Sequence, residues 1–121
     1  MDQKSSELQI VESYDIKKDS WKILPNLKKS RYQPSITMFR QRYLYVFGGQ
    51  NFTNSKAIDK PTKFVGEIER LDVREGSSWE VVKLNSSITK LKGHSLGTLQ
   101  ISSTEILIFG TYLKEAQPCF D

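Results

Sequence analysis

The side chains of this chain that could do chemistry are few. His94 is its single histidine and Cys119 its single cysteine. No imidazole pair is therefore available to hold zinc or to serve a histidine-based triad, and His94 reads as a turn residue. Cys119 lies close to the C-terminus and cannot form an internal disulfide, which agrees with a reducing compartment. Glu67 and Glu69 fall on one face of an extended segment, the arrangement of a glycosidase carboxylate pair, but alternation alone puts them there and a solvated or salt-bridged strand face is the simpler reading. Asn51-Phe52-Thr53 and Asn85-Ser86-Ser87 match the glycosylation acceptor pattern. The segment 1–7 is polar and lacks the apolar core of a signal peptide, so both tripeptides read as turns. No residue set here points to catalysis.

Composition sets the class. The chain has 121 residues, 37% hydrophobic and 26% charged, within the ordinary globular range. It holds no apolar run long enough to span a membrane, so an intracellular, cytoplasmic protein with no membrane contact is expected. The formal net charge is +4, yet lysines and arginines are dispersed from Lys4 to Lys114 in singles and pairs. That scatter argues against nucleic acid and for at most a mild preference for anionic surfaces.

The elements that must position any site are strands. Nearly every patterned segment alternates at two and no stretch carries the helical period, so the fold is expected to be all-β. The spacing predicts strands over Leu8–Ile16 and Ser20–Leu24, the second stopped by Pro25. Strands are also predicted over Pro34–Phe39 and Tyr43–Phe47 across the polar turn Arg40-Gln41-Arg42. Further on, Val65–Val73 and Ser78–Leu84 are expected to pair across a turn in which Gly76 supplies left-handed backbone, and Ser95–Ile101 and Glu105–Phe109 form the last hairpin. Between them Gln50–Lys63 reads as a long polar loop. Tyr43, Tyr45 and Phe47 face one way and Leu44 and Val46 the other, so this strand needs cover on both sides.

The pattern also repeats. Val11, Glu12, Asp15 and Trp21 return as Ile68, Glu69, Asp72 and Trp79 after 57 to 58 positions, and the apolar run ending in Gly48-Gly49 returns 62 positions on as Glu105–Phe109 ending in Gly110. A period of this length marks an array of sheets. Gly48-Gly49 would allow positive φ and close backbone approach. Trp21 and Trp79 could each span the gap to a neighbouring sheet.

In this order Arg31, the double glycine, Asp72 and Trp79 make the segment 31–85 resemble a complete kelch repeat. The resemblance implies a partial kelch-type β-propeller over 8–112, about two blades of four-stranded antiparallel sheet with the ring not closed. In it 8–25 is the outer half of one blade, 31–85 a whole blade and 92–112 the inner half of the next, with tails at 1–7 and 113–121. Leu71 stands where the family has tyrosine, Thr111 replaces a second glycine, and no arginine precedes His94-Ser95. An alternative is a complete small β protein whose two terminal hairpins pair side by side. As a propeller piece, the chain would be a fragment whose open edges need further blades or self-association.

What the resemblance implies for function is a non-catalytic protein-binding module, scaffold or adaptor without cofactor or metal. The alternative is a fragment of a propeller enzyme whose catalytic residues lie in missing blades, although the copper-radical oxidases of this architecture need a tyrosine–cysteine cross-link with histidine ligands, which one histidine and a cysteine near the C-terminus do not supply. The connections 25–30, 50–63 and 85–91 are expected to emerge at one end. There Lys28, Lys29, Lys56 and Lys60, with Asn51 and Phe52, would meet a protein partner, such as an acidic segment.

Overall fold

A computed structural model of the chain describes residues 9–51, 63–83 and 96–110. Among these residues ten strands run in chain order: β1 Val11–Asp15, β2 Ser20–Leu24, β3 Ser35–Phe39, β4 Tyr43–Phe47, β5 Gln50–Asn51, β6 Lys63–Phe64, β7 Glu69–Asp72, β8 Glu80–Val81, β9 Gly97–Gln100 and β10 Ile106–Phe109. Every ladder is antiparallel, and among the described residues there is no helix, hence none long and apolar enough to cross a membrane. The fold is all-β. A four-stranded sheet in the order β3-β4-β7-β8 stands between the hairpins β1-β2 and β9-β10, and β5-β6 forms a small ribbon. Among the described residues the sheets do not close on one another.

The sequence repeat is a repeat of hydrogen-bonding register. Glu12 lies opposite Ile23 and Ser13 opposite Lys22, as Glu69 lies opposite Val81 and Arg70 opposite Glu80. In the other half, Ser35 opposite Phe47 and Ile36 opposite Val46 are matched by Gly97 opposite Phe109 and Thr98 opposite Ile108. The N-terminal hairpin thus corresponds to β7-β8 and the C-terminal hairpin to β3-β4.

Strand β4 is covered on both sides, as its alternation requires. Val46, with Leu27, Leu71 and Trp79, forms one cluster, against which Leu44 and the hairpin residues Val11 and Leu24 pack. Phe47, with Ile68 and Leu96, forms the other, joined by Tyr45, Val82, Ile106 and Ile108. The two terminal hairpins therefore lie on opposite faces of the central sheet, which rules out the alternative in which they pair with each other. The C-terminal hairpin is fastened along β3, where the Ser35 hydroxyl donates to the Leu96 carbonyl and the Thr98 hydroxyl to the Ile36 carbonyl.

Trp79 is the anchor between sheets. It is 1% exposed, and its indole N–H donates to the Pro25 carbonyl at 2.8 Å, at the end of β2. Trp21 is not an anchor here: it is 68% exposed and tilts against Tyr14. The reason is positional. The repeat points both indoles in the same direction along the stack, and beyond Trp21 no described sheet follows.

Several strands are shorter than their patterns. Val65–Ile68 leaves the ladder because Val65 N–H is held by the Gly49 carbonyl at 2.9 Å. Asp15 ends β1 by accepting the Lys18 amide into the turn. The loop expected over 50–63 begins and ends in the β5-β6 ribbon. Gly48 and Gly49 have φ of 66° and 96°, as the bend after β4 demands. Gly76 does not take left-handed backbone. It is needed because a Cβ there would lie 2.5 Å from the Asp72 carbonyl oxygen.

Candidate functional site

Strand β7 has two differently built ends. Alternation puts Glu69 on the same face as Leu71, a buried position, and the carboxylate is 0% exposed. An ionised carboxyl group can stay there only if paired and fully hydrogen-bonded. Arg31 Nη2 lies 3.0 Å from Glu69 Oε2 and Arg31 Nε 3.2 Å from the same oxygen. The rest of the guanidinium donates to the Gly48 carbonyl at 2.9 Å and the Glu67 carbonyl at 2.6 Å. Burial lowers the Arg31 pKa, and the hydrogen bond and charge of Glu69 oppose that shift.

Glu69 also accepts two backbone amides, Lys28 N–H at 2.7 Å and Lys29 N–H at 3.1 Å. The buried pair thereby fixes the 25–30 connection. From the other side Gln9 grips it, its side-chain amide donating to the Leu27 carbonyl and its backbone carbonyl accepting the Leu27 N–H. Tyr32 and Gln50 exchange two backbone bonds, and the Ser30 hydroxyl meets the Asn51 side chain at 3.1 Å. Of the residues expected to gather at one end, Lys28 and Lys29 lie in the connection whose Ser30 meets Asn51. Phe52, Lys56 and Lys60 lie outside the described residues, as do His94, Cys119, the 85–91 connection and the tails.

The lysine side chains themselves reach outward. Lys29 Nζ is 3.7 Å from the Glu67 carboxylate, both about half exposed, an ion pair worth at most about 1 kcal/mol. Lys28 is exposed and has no ion pair among the described residues. The chemistry available is presentation of ammonium groups on an immobilised backbone. The carboxylate and guanidinium of the site, Glu69 and Arg31, are shielded from solvent and engaged in hydrogen bonds. Among the described residues no three His, Cys, Asp or Glu side chains converge as metal ligands would.

At the opposite end, Asp72 receives Arg42 at 2.7 Å and the amides of Arg74 and Glu75. The Arg42 bond above all, helped by those amides, holds the Asp72 carboxyl down at about 2. Asp15 performs a reduced version of this role with Lys18 N–H and no arginine. Both aspartates are turn-makers of the repeat.

Sequence reading placed Arg31 in the repeat motif and missed its partner. The signal was present: Glu69 and Leu71 alternate within β7, so a carboxylate sharing the Leu71 face there needs a partner. Compared with protein-family models the chain matches none, and no curated protein sequence matches it.

Proposed function

We propose that the chain is a kelch-type propeller segment acting as a non-catalytic protein-binding module, with the 25–30 and 50–51 end as its recognition face. The observation that carries this reading is the solvent-free Arg31–Glu69 pair, which spends its hydrogen-bonding capacity on loop backbone. A buried ion pair contributes little net stability compared with apolar packing of the same volume. What it does supply is one fixed loop geometry, the property a recognition surface needs. The repeat of register and the Trp79 anchor support the propeller architecture. The exposed Lys28 and Lys29 fit a partner segment rich in carboxylates, which lysine holds as a point charge.

The test is titration of the intact chain with a fluorescent peptide rich in Asp and Glu. Binding is expected to weaken with salt and to fall roughly tenfold or more in the Lys28→Glu, Lys29→Glu double variant, since removing each ion contact costs on the order of 1 kcal/mol. Unchanged thermal melting of that variant would place the effect at the surface. Absence of binding, or binding indifferent to both salt and the lysines, contradicts the reading.

A further inference from the structure

Each face of the stack that lacks cover has the composition of a face that has it. On the N-terminal hairpin Tyr14, Ile16, Trp21 and Ile23 are exposed, and on the C-terminal hairpin Leu99, Ile101, Leu107 and Phe109. By the repeat, Tyr14 stands where Leu71 is buried, Trp21 where Trp79 is buried, and Phe109 where Phe47 is buried. Exposed patches of this kind mark interaction surfaces.

Two grooves lie where no strand stands among the described residues. One, of about 590 Å³, opens between Ile68 and Val82 of the central sheet and Ile106 and Ile108 of the C-terminal hairpin, where a third and fourth strand beside β10 would stand. The other, of about 290 Å³, lies between Val11 of the N-terminal hairpin and Ile36, Val46 and Trp79, where a first and second strand beside β1 would stand. The missing outer half at one end is the kind of hairpin exposed at the other, and the reverse holds as well.

We infer that a second copy of this chain fills these grooves: β9-β10 of one copy and β1-β2 of the next join into one four-stranded antiparallel sheet in the order β9-β10-β1-β2, and the series closes into a ring. The register follows from β4 and β7, where Leu44 opposes Leu71 and Tyr45 opposes Arg70. Transposed by the repeat, Ile106 opposes Tyr14 and Leu107 opposes Ser13 of the second copy. The indole of Trp21 in that copy then enters the larger groove against Ile68 and Val82. Phe109 meets Ile36 and Val46 of the second copy. A single head-to-tail contact thus covers both apolar ends, and such heterologous contacts close into rings when the rotation permits. In its described residues each copy supplies one full and two half sheets, so rings of about four to eight sheets hold two, three or four copies.

The joint is weaker than the central sheet in one respect. Glu12 takes the Glu69 position, and the sequence carries Gly93 where the repeat would place the counterpart of Arg31. Assembly is therefore expected to depend on concentration.

Sedimentation of the full chain from nanomolar to high micromolar concentration tests the proposal. The expected result is a discrete species of about two to four chain masses that dissociates on dilution. Trp21→Asp and Phe109→Asp, each on an exposed face, should leave the far-ultraviolet spectrum intact and abolish the species. In a Cys119→Ser background, mixing chains bearing Ser13→Cys with chains bearing Leu107→Cys should give a disulfide-linked heterodimer in large excess over either homodimer. A chain that stays monomeric throughout overturns the inference and leaves the two faces to flanking sheets of a longer polypeptide. An oligomer that survives both aspartate variants, or a mixture that cross-links no better than either variant alone, overturns it too. Peptide binding through Lys28 and Lys29 is read separately and does not move with these outcomes.

Discussion

Arg31 and Glu69, far apart in sequence, meet side by side inside the protein, Nη2 to Oε2 3.0 Å, with both side chains closed off from solvent. Removing one partner strands the other charge. Arg31→Met or Glu69→Gln is expected to destabilise the chain by about 3 to 5 kcal/mol in denaturant melts. The double variant Arg31→Met, Glu69→Gln should cost less than the sum of the two by roughly 1 to 3 kcal/mol. Strict additivity would mean that the two groups are not coupled.

Trp79 closes the gap to the preceding sheet, so Trp79→Ala should cost about 3 to 5 kcal/mol. A loss below about 1 kcal/mol in the same melts would show that the indole is not an anchor between sheets.

Gly49 has φ of 96°, and a Cβ there would stand 3.1 Å from both Arg31 Cβ and the Tyr32 carbonyl oxygen. Those neighbours are held by the buried ion pair and by the exchange with Gln50, so they have little room to move. Gly49→Ala is expected to cost about 1 to 3 kcal/mol, measured by equilibrium unfolding.

The turn joining β3 and β4 is tight. The Arg42 amide donates to the Phe39 carbonyl at 3.1 Å, and Arg40 and Gln41 both have φ of 56°. Paired positive φ is the signature of a type I′ hairpin turn, which favours Asn-Gly. Arg40→Asn with Gln41→Gly should raise stability by about 1 kcal/mol, and a decrease would show the turn to be of another kind.

Asp72 gives the protein an acid-sensitive corner. Its carboxyl is held at about 2 in the folded chain against 3.8 when free, because it bonds Arg42 and two amides. A lowered carboxyl pKa contributes stability that is complete above the unfolded value and is lost as pH falls through the folded one. Stability should therefore drop between about pH 4 and pH 2, and more steeply in the natural chain than in Asp72→Asn. Equal slopes would deny the pairing.

Much of this fold was legible because the sequence speaks twice. Alternation in Tyr43–Phe47 announced a strand covered on both faces, and the spacing of Asp15, Trp21, Asp72 and Trp79 announced equivalent hairpins. What stayed hidden depends on neighbours rather than on pattern. Trp21 and Trp79 read alike, and only the presence of a sheet beyond one of them separates a buried anchor from an exposed ring. Glu69 looked like a surface carboxylate because its partner comes from a loop distant in sequence. Gly76 was placed correctly in a turn for the wrong physical reason, since the contact that excludes a side chain there is with the Asp72 backbone and not a matter of φ. The loop end was legible in part: the topology sets the connection holding Lys28 and Lys29 against Asn51 through Ser30, while the ion pair that fixes that connection was not readable from spacing alone.

The equivalence of the two indoles, one covered and one bare, carries the whole repeat, and single-tryptophan fluorescence in dilute solution tests it most directly. With Trp21→Phe, the remaining Trp79 should emit at short wavelength and resist acrylamide. With Trp79→Phe, the remaining Trp21 should emit at long wavelength and quench freely. Two indoles of equal emission and equal quenching in the folded chain would contradict the account.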